Sequence, residues 1–193
     1  MEQTLLRIDE ANRDDPNMES EDNQEIPAVL LYGRRMSAWV DRLKPDASEA
    51  LRIAARAQHI RRWEIPRADF PMDRAGYHKW RTMLYGYHGE KAAEIMKATG
   101  YGDETIERVK LILTKKKLKT DPEVQTLEDA AALVFLEHHL AEFTAREDMA
   151  EEKLIDILQK TWRKMSEQGQ QEALKLELPP ELQEIIGKAL SGA

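Results

Sequence analysis

Ser48-Glu49-Ala50-Leu51-Arg52-Ile53-Ala54-Ala55-Arg56-Ala57-Gln58-His59-Ile60-Arg61-Arg62 is the stretch whose reading decides the fold. Ser48 is a residue type that caps helices, and positions 51, 54, 55, 58, 59 and 62 fall on one face at the helical period. That face begins apolar with Leu51, Ala54 and Ala55 and ends polar with Gln58, His59 and Arg62, before the helix gives way near Pro66. A core-facing stripe that turns polar at one end predicts an all-α interior enclosing one polar site.

The flanking sequence extends the same pattern. From Pro27, Val29, Tyr32, Met36, Val40 and Leu43 recur at helical spacing until Lys44-Pro45-Asp46 stops them. After a loop over 66–76 containing Arg67, the next helix carries Trp80, Leu84, His88, Ala92, Ile95 and Met96, and Gly100 closes it. Asp103 opens a helix striped by Val109, Ile112 and Leu113 and ended by Lys115-Lys116-Lys117, a run suited to the negative end of the dipole. Asp121-Pro122 reads as N-cap and first turn of a long helix with Asp129, Ala132, Leu133, Leu136, Leu140 and Phe143 on one side. Two more helices are expected over 149–166 and 180–190. At the start, 5–11 predicts a short helix and 12–23 an acidic, polar linker, so the division is 1–23 followed by a main domain over 24–193.

Composition agrees with a single helical domain: 193 residues, 41% hydrophobic and 34% charged, with no run of alternating β-branched residues. The absence of Cys excludes thiolate metal sites and thiol catalysis and fits a reducing compartment, so the cytoplasm is the expected location. No apolar run approaches the roughly 18–20 residues that span a bilayer, so no membrane is expected. A net charge of -7 opposes loose attraction to nucleic acid, which is not an expected partner. Trp39, Trp63, Trp80 and Trp162 are expected to pack inside, and only exposed rings beside arginines would favour RNA. The stripe of the helix over 149–166 packs against the main domain or, alternatively, forms a homodimer contact.

Helical spacing places Tyr32, Gln58 with His59, His88 and Asp129 on otherwise apolar stripes of four helices, with Lys115 ending a fifth. Each has a plain reading: His88 as a satisfied core histidine, Asp129 as an early-helix acid facing the dipole, the lysine run as a solvated helix end. Together they are expected to converge, with His59, His88 and Asp129 approaching one point and Arg34 or Arg62 at its rim.

Their order resembles the HD-domain superfamily, helical metal-dependent phosphohydrolases in which His, a His-Asp pair and a distal Asp bind metal. Tyr32-Gly33-Arg34-Arg35-Met36 stands where the first histidine would be, and Ala54-Ala55-Arg56-Ala57-Gln58-His59-Ile60 where His-Asp would be, with Gln58 and His59 in those two places. His88 with Ala92-Ala93-Glu94-Ile95-Met96 and Gly100-Tyr101 is similar to a supplementary histidine helix, Lys115 stands where another imidazole is usual, and Asp129 matches the final Asp. The chain as a whole is more closely similar to a bacterial family catalogued as domain of unknown function 4202, through Leu31-Tyr32-Gly33-Arg34-Arg35-Met36-Ser37, Gln58-His59-Ile60-Arg61-Arg62-Trp63, Gly76-Tyr77, Trp80-Arg81, Leu127-Glu128-Asp129 and Lys160-Thr161-Trp162.

The HD resemblance implies a single HD-like helical bundle with additional C-terminal helices, and a metal-dependent phosphohydrolase acting on a nucleotide or other small phosphorylated metabolite. His59, His88 and Asp129 would hold one divalent ion (Mn, Fe, Mg or Zn) that activates water, His59 and Asp129 being the catalytic pair. Arg34, Arg62, Arg67, Arg81, Lys115, Gln58 and Tyr32 would contact substrate. Glu128, one position from Asp129, points about 100 degrees away and carries little of this reading. The alternative keeps the fold and drops the metal: Tyr32, Gln58 and Lys115 remove ligands, a lysine repels a divalent ion, and the arginines favour an anion such as a nucleotide, with no hydrolysis. A third reading is structural, with the polar residues satisfying one another.

Overall fold

The structure, a computed structural model, describes residues 1–145 and 150–191. Helix α1 (Glu2–Asn12) is followed by an antiparallel hairpin, β1 (Met18–Glu21) and β2 (Gln24–Pro27), with Glu19 opposite Ile26. The turn is Asp22-Asn23, both with positive φ, a conformation these two residue types tolerate. The segment expected to be a linker is therefore ordered, by polar contacts that no apolar pattern signals: Arg35 holds Glu19 at 2.7 Å and Glu21 at 3.2 Å.

The helices then follow most of their sequence signals, but the one expected to run from Ser48 to near Pro66 ends at Ala57, and Gln58, His59 and Arg62 lie in the turns beyond it, where Arg61 takes φ 51. α2 (Ala28–Leu43) begins at Pro27, and the Asp15 carboxylate accepts from the Val29 N–H at 2.9 Å, satisfying a first-turn donor from outside the helix. Ser48 accepts from Leu51 N–H and opens α3 (Glu49–Ala57). Two short 3-10 turns at Arg62–Glu64 and Arg67–Asp69 lead to α4 (Arg74–Ala98), capped by Asp73, after which Gly100 takes φ 88. α5 (Asp103–Thr114) ends on Lys115 in the left-handed conformation, and Asp121 with Pro122 starts α6 (Pro122–Val134). A turn of π-helix, Phe135–His139, joins α6 to α7 (Leu140–Thr144). α8 (Glu151–Lys164), α9 (Glu167–Ala173) and α10 (Pro180–Ser191) complete the chain. Of the helix expected over 149–166, Met149 lies outside the described residues, and Ser166 serves instead as the N-cap of α9.

α3 is the central element: Leu51, Ile53, Ala54, Ala55 and Ala57 have no exposed surface. It packs against α2 and α5, α2 against α6, α4 against α5, and α9 against α6. Its alanines let neighbouring helices approach closely, and Gly33 serves the same end, since a Cβ there would lie 2.8 Å from the Arg56 carbonyl oxygen. Ile8 of α1 is buried in the same core, and Arg56 grips Asp9 through two bonds at 2.6 and 2.9 Å. The fold is all-α apart from the hairpin. Among the described residues, no helix is long and apolar enough to cross a membrane.

Candidate functional site

The polar end of α3 opens onto a cleft of about 810 Å³. Tyr32 and Val29 come from α2, His59, Arg62 and Trp63 from the turn after α3, Trp80 from α4, and Phe135 and His139 from the π turn, with Arg67 completing the wall. A cleft of this size accepts a small organic molecule.

Within it Tyr32 stacks on His59, ring centroids 4.0 Å apart and 16° from parallel, and its hydroxyl accepts from Gln58 Nε2 at 3.3 Å. Arg62 Nη1 lies 3.2 Å from His59 Nε2. A guanidinium only donates, so Nε2 accepts and the imidazole proton sits on Nδ1. Burial first, then the Arg62 charge, holds the His59 pKa well below its ordinary value, so the ring is neutral. The Arg62 guanidinium also lies over the Trp80 ring at 4.6 Å, and Trp80 is oriented by its own bond from Nε1 to Ile65 O at 2.8 Å. The two carboxylates in the cleft wall are already engaged, Asp15 with the first turn of α2 and Glu19 with Arg35. Among the described residues, neither Arg62 nor Arg67 has a carboxylate partner; Arg67 donates to the carbonyls of Phe70 and Asp73.

Behind the Tyr32–His59 stack lies a second polar layer. His88, 2% exposed, donates from Nδ1 to Ile60 O at 2.9 Å, and its ring centroid is 5.9 Å from that of His59. Burial lowers its pKa to about 4. Its Nε2 and the Oε1 of buried Gln58 have no partner among the described residues. Lys115 is not a free cation but pairs with Glu128 at 2.6 Å. Burial would raise that carboxyl, yet Lys115, then Lys164, outweighs it and holds the acid below its ordinary range. Burial pushes the Tyr32 phenol up, so it stays protonated.

The expected three-ligand set is not assembled. Asp129 is 3% exposed, but it faces α9: it accepts from Ser166 N at 2.8 Å, Ser166 Oγ at 2.6 Å and Gln125 Nε2 at 2.9 Å. Gly169 allows this close approach, because a Cβ there would lie 2.7 Å from Asp129 Cγ. Its neighbour Glu128, one helical position round, is the acid that turns towards Lys115 and the site. With Asp129 committed elsewhere, His59 Nε2 occupied by Arg62 and an ammonium nearby, the donor set does not fit a divalent ion. Among the described residues, no three His, Cys, Asp or Glu side chains are placed to hold one.

Of the residues expected to contact substrate, Tyr32, Arg62 and Arg67 line the cleft and Gln58 supports Tyr32 from behind. Arg34 is exposed and is not among the cleft residues, two positions along α2 having rotated it away from Tyr32. Arg81 lies beside Tyr77 and Tyr85 outside the cleft wall, and Lys115 is consumed by Glu128. Sequence reasoning missed His139 and Phe135. The π turn inserts extra residue per turn and shifts the register, so that these two join the wall while Leu136 and Leu140 stay in the core. Its only sequence signal is the pair His138-His139 interrupting an apolar stripe.

Neither a curated protein nor a solved structure matches the chain. One family model does, over residues 2–186. That match covers the hairpin, the cleft, α8, α9 and the first half of α10, and the chain accordingly belongs to the family described as Domain of unknown function (DUF4202).

Proposed function

We propose that the chain binds a small aromatic anion of the nucleotide class in the cleft between Tyr32 and Trp80, and that it does so without a divalent metal and without hydrolysing the ligand. The observation that carries this reading is Arg62: a half-buried guanidinium placed between the Trp80 face and His59 Nε2, with no carboxylate partner among the described residues. An unneutralised, partly desolvated cation favours an anion that brings the missing charge. Arg67 adds a second guanidinium in the same wall, and Tyr32, His59, Trp63 and Phe135 offer flat surfaces for a ring. His59 is neutral and bonded to Arg62, so its part is to hold the guanidinium in place rather than to ligate metal.

Titration of the intrinsic tryptophan fluorescence with AMP, ADP and GMP, with and without EDTA, tests this, because Trp63 and Trp80 both border the cleft. Saturable quenching that EDTA leaves unchanged is expected. Arg62→Ala is expected to weaken it about 10- to 100-fold, the worth of one charge-assisted contact. Binding abolished by EDTA, or Mn-dependent release of phosphate, would overturn the reading in favour of the hydrolase.

A further inference from the structure

We propose that the ligand extends out of the cleft: the chain takes the end of a single-stranded oligonucleotide, and Tyr77, flanked by Arg67 and Arg81, is the platform for the next base. The inference rests on the nucleotide reading of the cleft and adds a second subsite to it.

Tyr77 lies in the first turn of α4 and is 41% exposed. Guanidinium groups lie on two sides of that ring, Arg67 at 5.9 Å and Arg81 at 5.8 Å from its centroid. Neither arginine has a carboxylate partner among the described residues; Arg81 instead meets the Tyr85 hydroxyl. The row is continuous with the cleft, because Arg67 also lies 6.0 Å from the Trp80 centroid and Tyr77 is 6.0 Å from Trp80. Positions 77, 81 and 85 recur every fourth residue, so an aromatic, a cation and an aromatic follow one another along a single face of α4. Alternating rings and unpaired guanidinium groups match the alternation of base and phosphate along a single strand.

Charge is also segregated. Between Arg61 and Arg81 the sequence holds six Arg or Lys against three Asp or Glu, within a chain whose net charge is -7. An acidic body would repel a long duplex, while a locally basic strip can still hold a short strand. A free mononucleotide would need the cleft but not Tyr77.

The test compares a fluorescein-labelled octanucleotide with AMP on the full chain, by anisotropy and by tryptophan quenching respectively. The octamer is expected to bind at least about tenfold more tightly than AMP. Tyr77→Ala is expected to lose about tenfold in octamer affinity with AMP unchanged, and Tyr77→Phe to retain octamer affinity, since stacking needs the ring and not the hydroxyl. Arg81→Ala is expected to flatten the dependence of octamer affinity on salt. Tyr77 is exposed enough for the alanine variant to fold, which a thermal melt verifies. If AMP binds and the octamer binds no better, or if Tyr77→Ala leaves the octamer unaffected, the strip is refuted and the cleft stands. Equal competition by polyglutamate would refute base stacking and leave only a charged surface. Failure of AMP and octamer alike would refute the nucleotide reading itself.

Discussion

Replacing Asp129 by alanine separates a ligand from a structural acid. The carboxylate accepts both the Ser166 N–H and the Ser166 hydroxyl, and those two bonds seat the start of α9 against α6. A hydrogen bond to a charged group is worth roughly 1.5–3 kcal/mol, and donors left without an acceptor add a penalty offset where water reaches them. Gln125 keeps a second acceptor, the Lys164 carbonyl, so its loss adds little. Asp129→Ala is therefore expected to destabilise the fold by about 3 kcal/mol, lowering the urea midpoint by about 1 M at an m-value near 2–3 kcal/mol/M. Ser166→Ala should cost less, and the double variant should show a coupling of about 1–2 kcal/mol in a double-mutant cycle. Gly169→Ala, whose Cβ would meet the carboxylate, should destabilise by about 1–3 kcal/mol. AMP affinity of the Asp129→Ala protein, measured where it remains folded, should match the parent. An unchanged urea midpoint together with lost binding or lost phosphatase activity would show that Asp129 belongs to the site after all.

His88 offers a pH prediction. Its pKa is lowered to about 4 from the ordinary value near 6.5, so the unfolded chain takes up the proton first. The stability contributed by keeping this ring neutral is full above about pH 6.5 and lost as pH falls towards 4, about 3 kcal/mol in all. His88→Gln should show a correspondingly shallower acid dependence in urea melts, and an NMR titration of His88 with a midpoint near 6.5 would contradict the burial argument. Lys115→Met should destabilise by about 3 kcal/mol, since it leaves Glu128 with only Lys164 at 3.8 Å, whereas Lys115→Met with Glu128→Leu should recover most of that loss on thermal melting. Arg34→Ala, in contrast to Arg62→Ala, should leave AMP affinity within about twofold, because Arg34 is exposed and lies outside the cleft wall.

The legible part of the fold was the part written in local chemistry. Ser48, Gly100 and Asp121-Pro122 each mark a boundary by a bond or backbone conformation that depends on near neighbours, and the structure shows each of them at the end of its helix. The polar residues after Ala57 were readable as a site though not as helix: α3 stops before them, and His59 and Arg62 face a common cleft with Tyr32 from the turn that follows. The hairpin was not readable, because its strands are polar and its stability comes from Arg35, fourteen and sixteen residues away. The choice between Glu128 and Asp129 was not readable either: adjacent helical positions differ by about 100 degrees, and which of them faces the site depends on where α9 docks.

The sequence by itself determined a mainly α-helical chain, several of its helix starts and the family it belongs to, because periodicity and capping act over a few residues and are indifferent to what packs alongside. Only the tertiary structure decided which polar side chains share a cavity. Ser166 takes Asp129 and Glu128 takes Lys115, each across separate elements, and Arg62, only three residues from His59, lies over the Trp80 ring that α4 brings to it. Burying a charge is costly enough that Asp129, Glu128 and Lys115 each go to the partner the packing brings near, and that distance is set by the arrangement of the helices rather than by spacing along any one of them.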